Sequence, residues 1–315
     1  MLKISVIIPC YFNELNIPVT TKSLLDSEKL FGQDVGFEYI MVDDGSKDNT
    51  WGELVKFQQE FPEKVKAIKL VRNFSSTSAV LAALQYATGA CNIVMAADMQ
   101  DPPELIYTMY THWLKGYKLV IATRQGRDEP FLQRLFSNAT HKLAQKFALE
   151  NLPSGGFDMC LFDREVKDVL VEMNPKHSYL PYLLMWMGYD FVSIPYQRKK
   201  RELGKSTYTL SKKIKTFIDS FVAFSYMPIR LISITGIVLG ILAFLFGAFL
   251  ILSKLTGFIP VAGWTSLMVI MLFVSSFQMI ALGIIGEYVW RGLEASRNRP
   301  NFLVEKVILP PGDES

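Results

Sequence analysis

Two stretches without a single charge constrain this chain more than anything else in it. Leu231 to Ser253 gives 23 such residues, and Leu255 to Gly286 gives 32, with Pro260 and Gly263 interrupting the second near its start. As helices rising about 1.5 Å per residue, each is long enough to cross roughly 30 Å of hydrocarbon. A soluble core seldom holds two uncharged helices of more than about 20 residues, so both read as membrane spans. Neither run is N-terminal, so neither reads as a signal peptide.

The flanks set an orientation. Residues 255 to 264, LTGFIPVAGW, carry no charge, whereas Lys and Arg crowd the segment before the first span and recur after the second at Arg291, Arg297 and Arg299. The positive-inside rule then places the long ends and both termini in the cytoplasm and only the short loop outside, a multi-pass hairpin of the inner (plasma) membrane. Cys10, Cys91 and Cys160 are odd in number and lack CxxC spacing, as suits a reducing compartment. Gly236, Gly240 and Gly247 in the first span fit helix packing, either within one hairpin or between subunits of a homo-oligomer.

A formal net charge of +3 conceals an uneven distribution. Residues 198 to 215, RKKRELGKSTYTLSKKIK, hold eight basic residues and one acidic, which leaves the rest of the chain acidic. Such a block beside a span meets anionic headgroups, or it grips a phosphate. Directly after it, Ile214, Phe217, Ile218, Phe221, Val222 and Phe224 recur at helical spacing, the pattern of an amphipathic helix lying in the headgroup plane.

The first 150 residues alternate between strand and helix patterns. Lys3 to Ile8, Phe37 to Val42, Val65 to Val71, Cys91 to Met95 and Leu119 to Ala122 read as strands; Glu14 to Leu30, Asn49 to Gln59, Ser75 to Ala87 and Pro103 to Lys115 read as helices. That alternation predicts an α/β fold with a mostly parallel sheet and helices on both faces. In such folds ligands sit beyond the carboxyl ends of the strands. Those positions are polar here: Pro9-Cys10-Tyr11-Phe12-Asn13-Glu14, then Asp43-Asp44-Gly45-Ser46, then Asp98-Met99-Gln100-Asp101. No GxGxxG fingerprint or P-loop follows a strand, so a nucleotide's phosphates fall to a metal ion or to Arg and Lys. Asp98 and Gln100, two apart at a strand end, suit a hard cation such as Mg²⁺ or Mn²⁺. Asp101 with Pro102 and Pro103 reads as the start of the next helix. The three histidines show no metal spacing, and nothing in the chain suggests a nucleic acid as partner.

Taken in order, SVIIPCYFNELNI, YIMVDDGSKDNT, MAADMQDPPEL, GFDMCLFDR and RKKRELGKSTYTLSKKIKTFIDSFVAFS, followed by two spans, resemble the family-2 glycosyltransferases that load a sugar onto a polyprenyl phosphate. These are enzymes of the dolichol-phosphate mannosyltransferase and bactoprenol glucosyltransferase type. The resemblance runs from Ile4 to about Phe302. It implies a Rossmann-like GT-A catalytic domain at 1–197, a basic acceptor loop with an interfacial helix at 198–228, the transmembrane hairpin at 229–289 and a C-terminal tail at 290–315.

The resemblance also assigns roles. Pro9, Tyr11 and Glu14 fall in the first nucleotide-contacting loop, Asp43 and Asp44 lie beside base and ribose, and Arg124 lies near the phosphates. Asp98 and Gln100 match the metal-binding DxDxQ element, although Ala96 stands where the family often has its first Asp. Asp158 matches an acid near the acceptor and is expected to orient the nucleophile, the second catalytic residue beside the metal-binding Asp98. Arg198, Arg201, Lys205, Ser206 and Tyr208 match the segment that clamps the lipid phosphate. The implied reaction is inverting transfer of one hexose from a nucleotide sugar, UDP-glucose by preference, to undecaprenyl phosphate. A processive polysaccharide synthase is disfavoured because no QxxRW precedes the spans; a nucleotide-sugar-binding scaffold draws its support from Ala96 alone.

Overall fold

Runs of β-branched and aromatic residues become strands where the sequence expects them, in a computed structural model that describes residues 2–98, 100–125, 142, 144–147, 149, 151–153, 156–176, 179–197, 219, 221–222, 224–256, 263–297 and 299–312. The chain divides into two units, Met1–Ser220 with Pro300–Ser315, and Phe221–Arg299.

In the first unit the alternating order is β1 (Leu2–Cys10), α1 (Ile17–Glu28), β2 (Val35–Asp43), α2 (Thr50–Glu60), β3 (Val65–Leu70), α3 (Ser76–Leu84), β4 (Cys91–Val94), α4 (Leu105–Trp113) and β5 (Leu119–Gln125). Then follow β6 (Phe157–Asp163), α5 (Arg164–Met173), α6 (Leu180–Trp186) and β7 (Phe191–Gln197), and β8 (Val304–Ile308) returns from beyond the second unit. Among the described residues these strands form one eight-stranded sheet in the order β7-β5-β6-β4-β1-β2-β3-β8. The β3-β2-β1-β4 block is parallel, as expected, and so is β5 with β7. β6 runs antiparallel between β4 and β5, and β8 antiparallel along β3.

The sheet is buried on both faces, which is why its central strands read as unbroken apolar runs rather than alternating ones. Ile4, Val6 and Ile8 of β1 pack with Tyr39, Met41, Cys91 and Ile93 against Leu24 of α1, Leu54 of α2 and Met109 of α4. Ile7, Ile40, Ile68 and Phe162, of opposite parity, are also fully buried. Fully burying side chains of this size stabilises by about 1.5–3 kcal/mol each before entropy is counted. Pro9 lies inside β1, opposite Val42, rather than after the strand. The pairing to β4 ends at Ile7 with Val94, so the missing N–H of Pro9 falls beyond that ladder.

Two expectations change. Residues 304–308, placed by sequence in a tail, form a sheet edge: Lys69 meets Glu305 at 3.1 Å, the Val71 N–H donates to the Leu303 carbonyl, and Asn301 donates to the Asn174 and Pro175 carbonyls. Helix α4 begins at Leu105, not Pro103, with Glu104 at its cap position and no side-chain cap. Asp101 therefore does not start that helix and is engaged elsewhere.

The second unit holds α7 (Met227–Leu255) and α8 (Trp264–Ser296), of 29 and 33 residues. Their apolar side chains are exposed, Phe244 by 76% and Met279 by 69%, and none of the most apolar stretch of either helix is buried. Tyr288 donates to the Ser225 carbonyl at 2.8 Å, and Arg291 pairs with Glu287 one turn earlier.

Candidate active site

The loops after β1 and β2 are laced together by side chain to backbone hydrogen bonds. The N–H groups of Phe12, Asn13 and Glu14 donate to Ser46 Oγ, Thr50 Oγ1 and Asp48 Oδ2, and the Asn49 N–H donates back to Glu14 Oε2 at 2.8 Å. Polar residues there satisfy a folded turn whose own backbone cannot pair in a sheet. Phe12 adopts a left-handed φ of 55°, an uncommon conformation for an aromatic residue, at the tip of the loop that carries Tyr11. Glu14 is thus committed to the neighbouring loop, Ser46 helps hold the loops together, and Asp48 does so as well while its Oδ1 accepts the Thr50 N–H and hydroxyl at the start of α2.

Asp43 and Asp44 end β2 with different duties. Both Asp44 oxygens are used, accepting the Phe74 N–H at 2.7 Å and the Ser75 N–H at 3.1 Å. They brace the β3–α3 turn, where Ser75 takes a φ of 101° and its hydroxyl caps α3. Burial raises the Asp44 carboxyl to about 6, outweighing those two hydrogen bonds, with the charge of Asp43 adding to the rise. Asp43 accepts the Ser46 N–H at 2.9 Å through Oδ1, while its buried Oδ2 has no partner among the described residues. Burial likewise holds its carboxyl above the ordinary range. Gly45 between this pair and Ser46 has φ +68°, and a Cβ there would stand 2.4 Å from the Arg72 backbone carbon.

The loop after β4 is anchored by Thr20 of α1, whose hydroxyl donates to the Ala97 carbonyl at 3.0 Å. Asp98 follows, 8% exposed, with Oδ1 accepting the Gln100 N–H at 3.3 Å. Among the described residues no three His, Cys, Asp or Glu side chains gather to hold a metal. The donor set fits a cation of the Mg²⁺ or Mn²⁺ type bound mainly through substrate: such ions take one or two carboxylates, complete their shell with phosphate oxygens and water, and use no protein cage. Asp44, with both oxygens engaged, does not make good the carboxylate missing at Ala96.

The far side of the crevice holds a chain of contacts that the sequence does not announce. β6 is antiparallel, so its first residues reach the same edge as the last residues of β5 and β7. Arg124 on β5 forms an ion pair with Asp158 on β6, and Tyr179 donates to Asp158 Oδ1 at 3.4 Å. Arg124 also stands opposite Tyr196 of β7 in register, and the Tyr196 hydroxyl donates to Asp101 Oδ1. Two residues predicted separately, Arg124 and Asp158, thus come together; Asp101, Tyr179 and Tyr196 join them. Asp158 does not cap α5; Asp163 does, by accepting the Glu165 N–H. Arg198, Arg201, Lys205, Ser206 and Tyr208 lie outside the described residues.

Comparison with known proteins bears on the family of the chain. The family model described as Glycosyl transferase family 2 matches residues 5–170. Among curated proteins, the uncharacterized glycosyltransferase YkcC of Bacillus subtilis is 33% identical over 306 residues, spanning 96% of this chain and 93% of its own. An uncharacterized glycosyltransferase of Synechocystis sp. is 32% identical over 304 residues, spanning 96% of this chain and 95% of its own. The putative glycosyltransferase CsbB of Bacillus subtilis is 30% identical over 310 residues, spanning 98% of this chain and 93% of its own.

Proposed function

This chain belongs to glycosyl transferase family 2, and from that membership we propose that it moves one hexose from a nucleotide sugar, UDP-glucose by preference, to a polyprenyl phosphate such as undecaprenyl phosphate at the cytoplasmic membrane face. One observation carries the choice of acceptor. The catalytic unit is continuous in sequence, at both ends, with two exposed apolar helices whose mean hydropathies reach 2.4 and 2.3. So much apolar surface is stable only in lipid, and an enzyme held there has lipid acceptors within reach. Since β8 pairs with β3 after the second helix, the chain enters and leaves the hairpin from one unit, which favours both termini on the catalytic side.

In the donor half, Asp43 is the member of the acid pair left for base and ribose, because Asp44 is spent on the turn below it. Tyr11 in the loop after β1 is assigned to the donor with Pro9, which precedes it in β1, and with Glu14, which ties that loop to the next by accepting the Asn49 N–H. Asp98 and Gln100 would hold the divalent ion, which when bound neutralises charge growing on the leaving diphosphate. Arg124 adds a guanidinium on the side of the phosphates.

In the acceptor half, Arg198 and Arg201, with Lys205, Ser206 and Tyr208, are assigned the lipid phosphate on sequence alone. An oxygen of that phosphate attacks the anomeric carbon, a new C–O bond forms, and the bond to the diphosphate breaks on the opposite side, inverting the centre. The lipid phosphate is already largely ionised at neutral pH, so no strong base is needed. Asp158, held by Arg124 and Tyr179, serves to orient.

The decisive experiment incubates the purified protein in detergent with Mg²⁺ or Mn²⁺, undecaprenyl phosphate and a panel of radiolabelled nucleotide sugars. One lipid-linked monosaccharide should appear, with UDP-glucose as the best donor. Transfer to a soluble acceptor but to no lipid overturns the acceptor assignment.

A further inference from the structure

We propose that Tyr196 is a positioning residue of the donor site, holding the Arg124 guanidinium at the crevice edge and linking it to the loop that carries Asp98 and Gln100; this rests on the reading of that crevice as the nucleotide-sugar site. The geometry is set by topology. β5 and β7 are parallel neighbours with Arg124 opposite Tyr196 in register, so both side chains leave the sheet at the edge where the loop after β4 ends. Asp101 in that loop is 1% exposed and Tyr196 is 6% exposed. The Tyr196 hydroxyl donates its single proton to Asp101 Oδ1, so that toward its in-register neighbour Arg124, whose charge acts on the phenol, it can only accept. Arg124 in turn pairs with Asp158.

A ring in this place needs only to fill space, and phenylalanine would do so. The hydroxyl carries the cost of burying a polar group, offset here by its hydrogen bond to the Asp101 carboxylate with the Arg124 cation as its in-register neighbour. Burial, and after it the charge of Asp101, pushes the phenol well above its ordinary range, so Tyr196 stays protonated at any working pH and acts as a fixed donor to Asp101. Arg124 then has Asp158 as ion-pair partner on one strand and a fixed hydroxyl acceptor, Tyr196, beside it on another. A guanidinium is useful against a diphosphate only if its planar fork is aimed beforehand, because ordering it during binding costs affinity. Without the hydroxyl, Arg124 keeps its pair with the partly exposed Asp158 and loses the acceptor beside it, and the loop after β4 loses its tie to β7.

Tyr196→Phe removes the hydroxyl and keeps the ring. The full-length variant in detergent should bind UDP or GDP with Mn²⁺ about tenfold more weakly by calorimetry. In the transfer assay its KM for the donor should rise by a similar factor, and its KM for undecaprenyl phosphate should stay within twofold. Asp101→Ala cuts the same link from the other end and should weaken nucleotide binding comparably, and the double variant should be no weaker than the worse single one. Should Tyr196→Phe fail to fold, Asp101→Ala carries the same measurement. Nucleotide binding unchanged from wild type, or a fall in thermal stability with unchanged donor KM, overturns the positioning role and leaves a structural one. Wild-type protein that binds neither nucleotide overturns instead the donor-site reading on which the inference rests.

Discussion

Asp158 and Arg124 are an ion pair joining adjacent strands β6 and β5 at the edge of the sheet where the site lies. Sequence motifs assign these residues to opposite substrates, one to the acceptor and one to the donor phosphates, and their pairing places the two roles in contact. Their effects on turnover should therefore be coupled. Arg124→Ala is expected to lower kcat/KM for the donor about 10²-fold, the scale of removing one preorganised donor to developing charge. Asp158→Asn should cost less, and the double variant should resemble Arg124→Ala alone. Steady-state kinetics of the four proteins checks this; fully multiplicative losses would mean that the two residues act independently.

Gly45 is required by both backbone angle and space. Its φ of +68° disfavours any side chain, and a Cβ would lie 2.4 and 2.5 Å from Arg72 backbone atoms, which cannot rotate away. Gly45→Ala should destabilise the catalytic unit by more than about 2 kcal/mol and weaken donor binding, because the displaced turn is the one Asp44 braces. Thermal unfolding in detergent reads the first effect and calorimetry the second; an unshifted melting temperature would show that the turn has another accessible form.

The parallel β3-β2-β1-β4 block was legible because each strand is an apolar run buried on both faces and separated by a helix-length pattern. The edges were not. β7 contains Pro195, which argues against a strand and is tolerated because β7 is an edge. β8 is five residues long, and its partner β3 lies more than 230 residues earlier, so no local signal ties them. Of the candidate site, Asp43 ends β2 and Asp98 follows β4 as the sequence suggests, whereas β5 runs on past its apolar core so that Arg124 lies within it rather than after it. Tyr196 could not be found that way. Its partner Asp101 is 95 residues away, and only the antiparallel insertion of β6 and the β5–β7 register bring the two to one edge.

Asp98 should govern metal-dependent donor binding. Ala96 stands in place of a second carboxylate, both Asp44 oxygens are engaged, and among the described residues no three potential ligand side chains gather, so Asp98 is expected to be the main protein charge on the ion. Asp98→Ala is expected to abolish the Mn²⁺-dependent part of UDP or GDP binding, and chelation of the wild type should have the same effect. Calorimetric binding that survives the substitution puts the ion elsewhere.

For the acceptor, Arg201→Ala should raise the KM for undecaprenyl phosphate at least tenfold while moving the donor KM less than twofold, since a bidentate guanidinium contact to one phosphate is lost. Equal changes in both constants would separate the basic segment from the lipid.

Asp44 gives the fold a pH dependence of defined sign. Its carboxyl is raised from 3.8 to about 6 in the folded protein, chiefly by burial. Between about pH 4 and pH 6 the folded state therefore binds more protons at this site than the unfolded state, and the contribution to stability falls as pH rises. It is fully present below about pH 4 and lost above about pH 6, a span worth up to about 3 kcal/mol. Other carboxylates titrate over the same interval, so the useful quantity is the stability difference between wild type and Asp44→Asn, which carries no titrating group at this position. That difference should shift against the wild type by up to about 3 kcal/mol between pH 4 and pH 6.5, measured by thermal unfolding in detergent. A flat difference, or one of opposite slope, would mean that the hydrogen bonds from Phe74 and Ser75 outweigh burial and that Asp44 is an ordinary ionised brace.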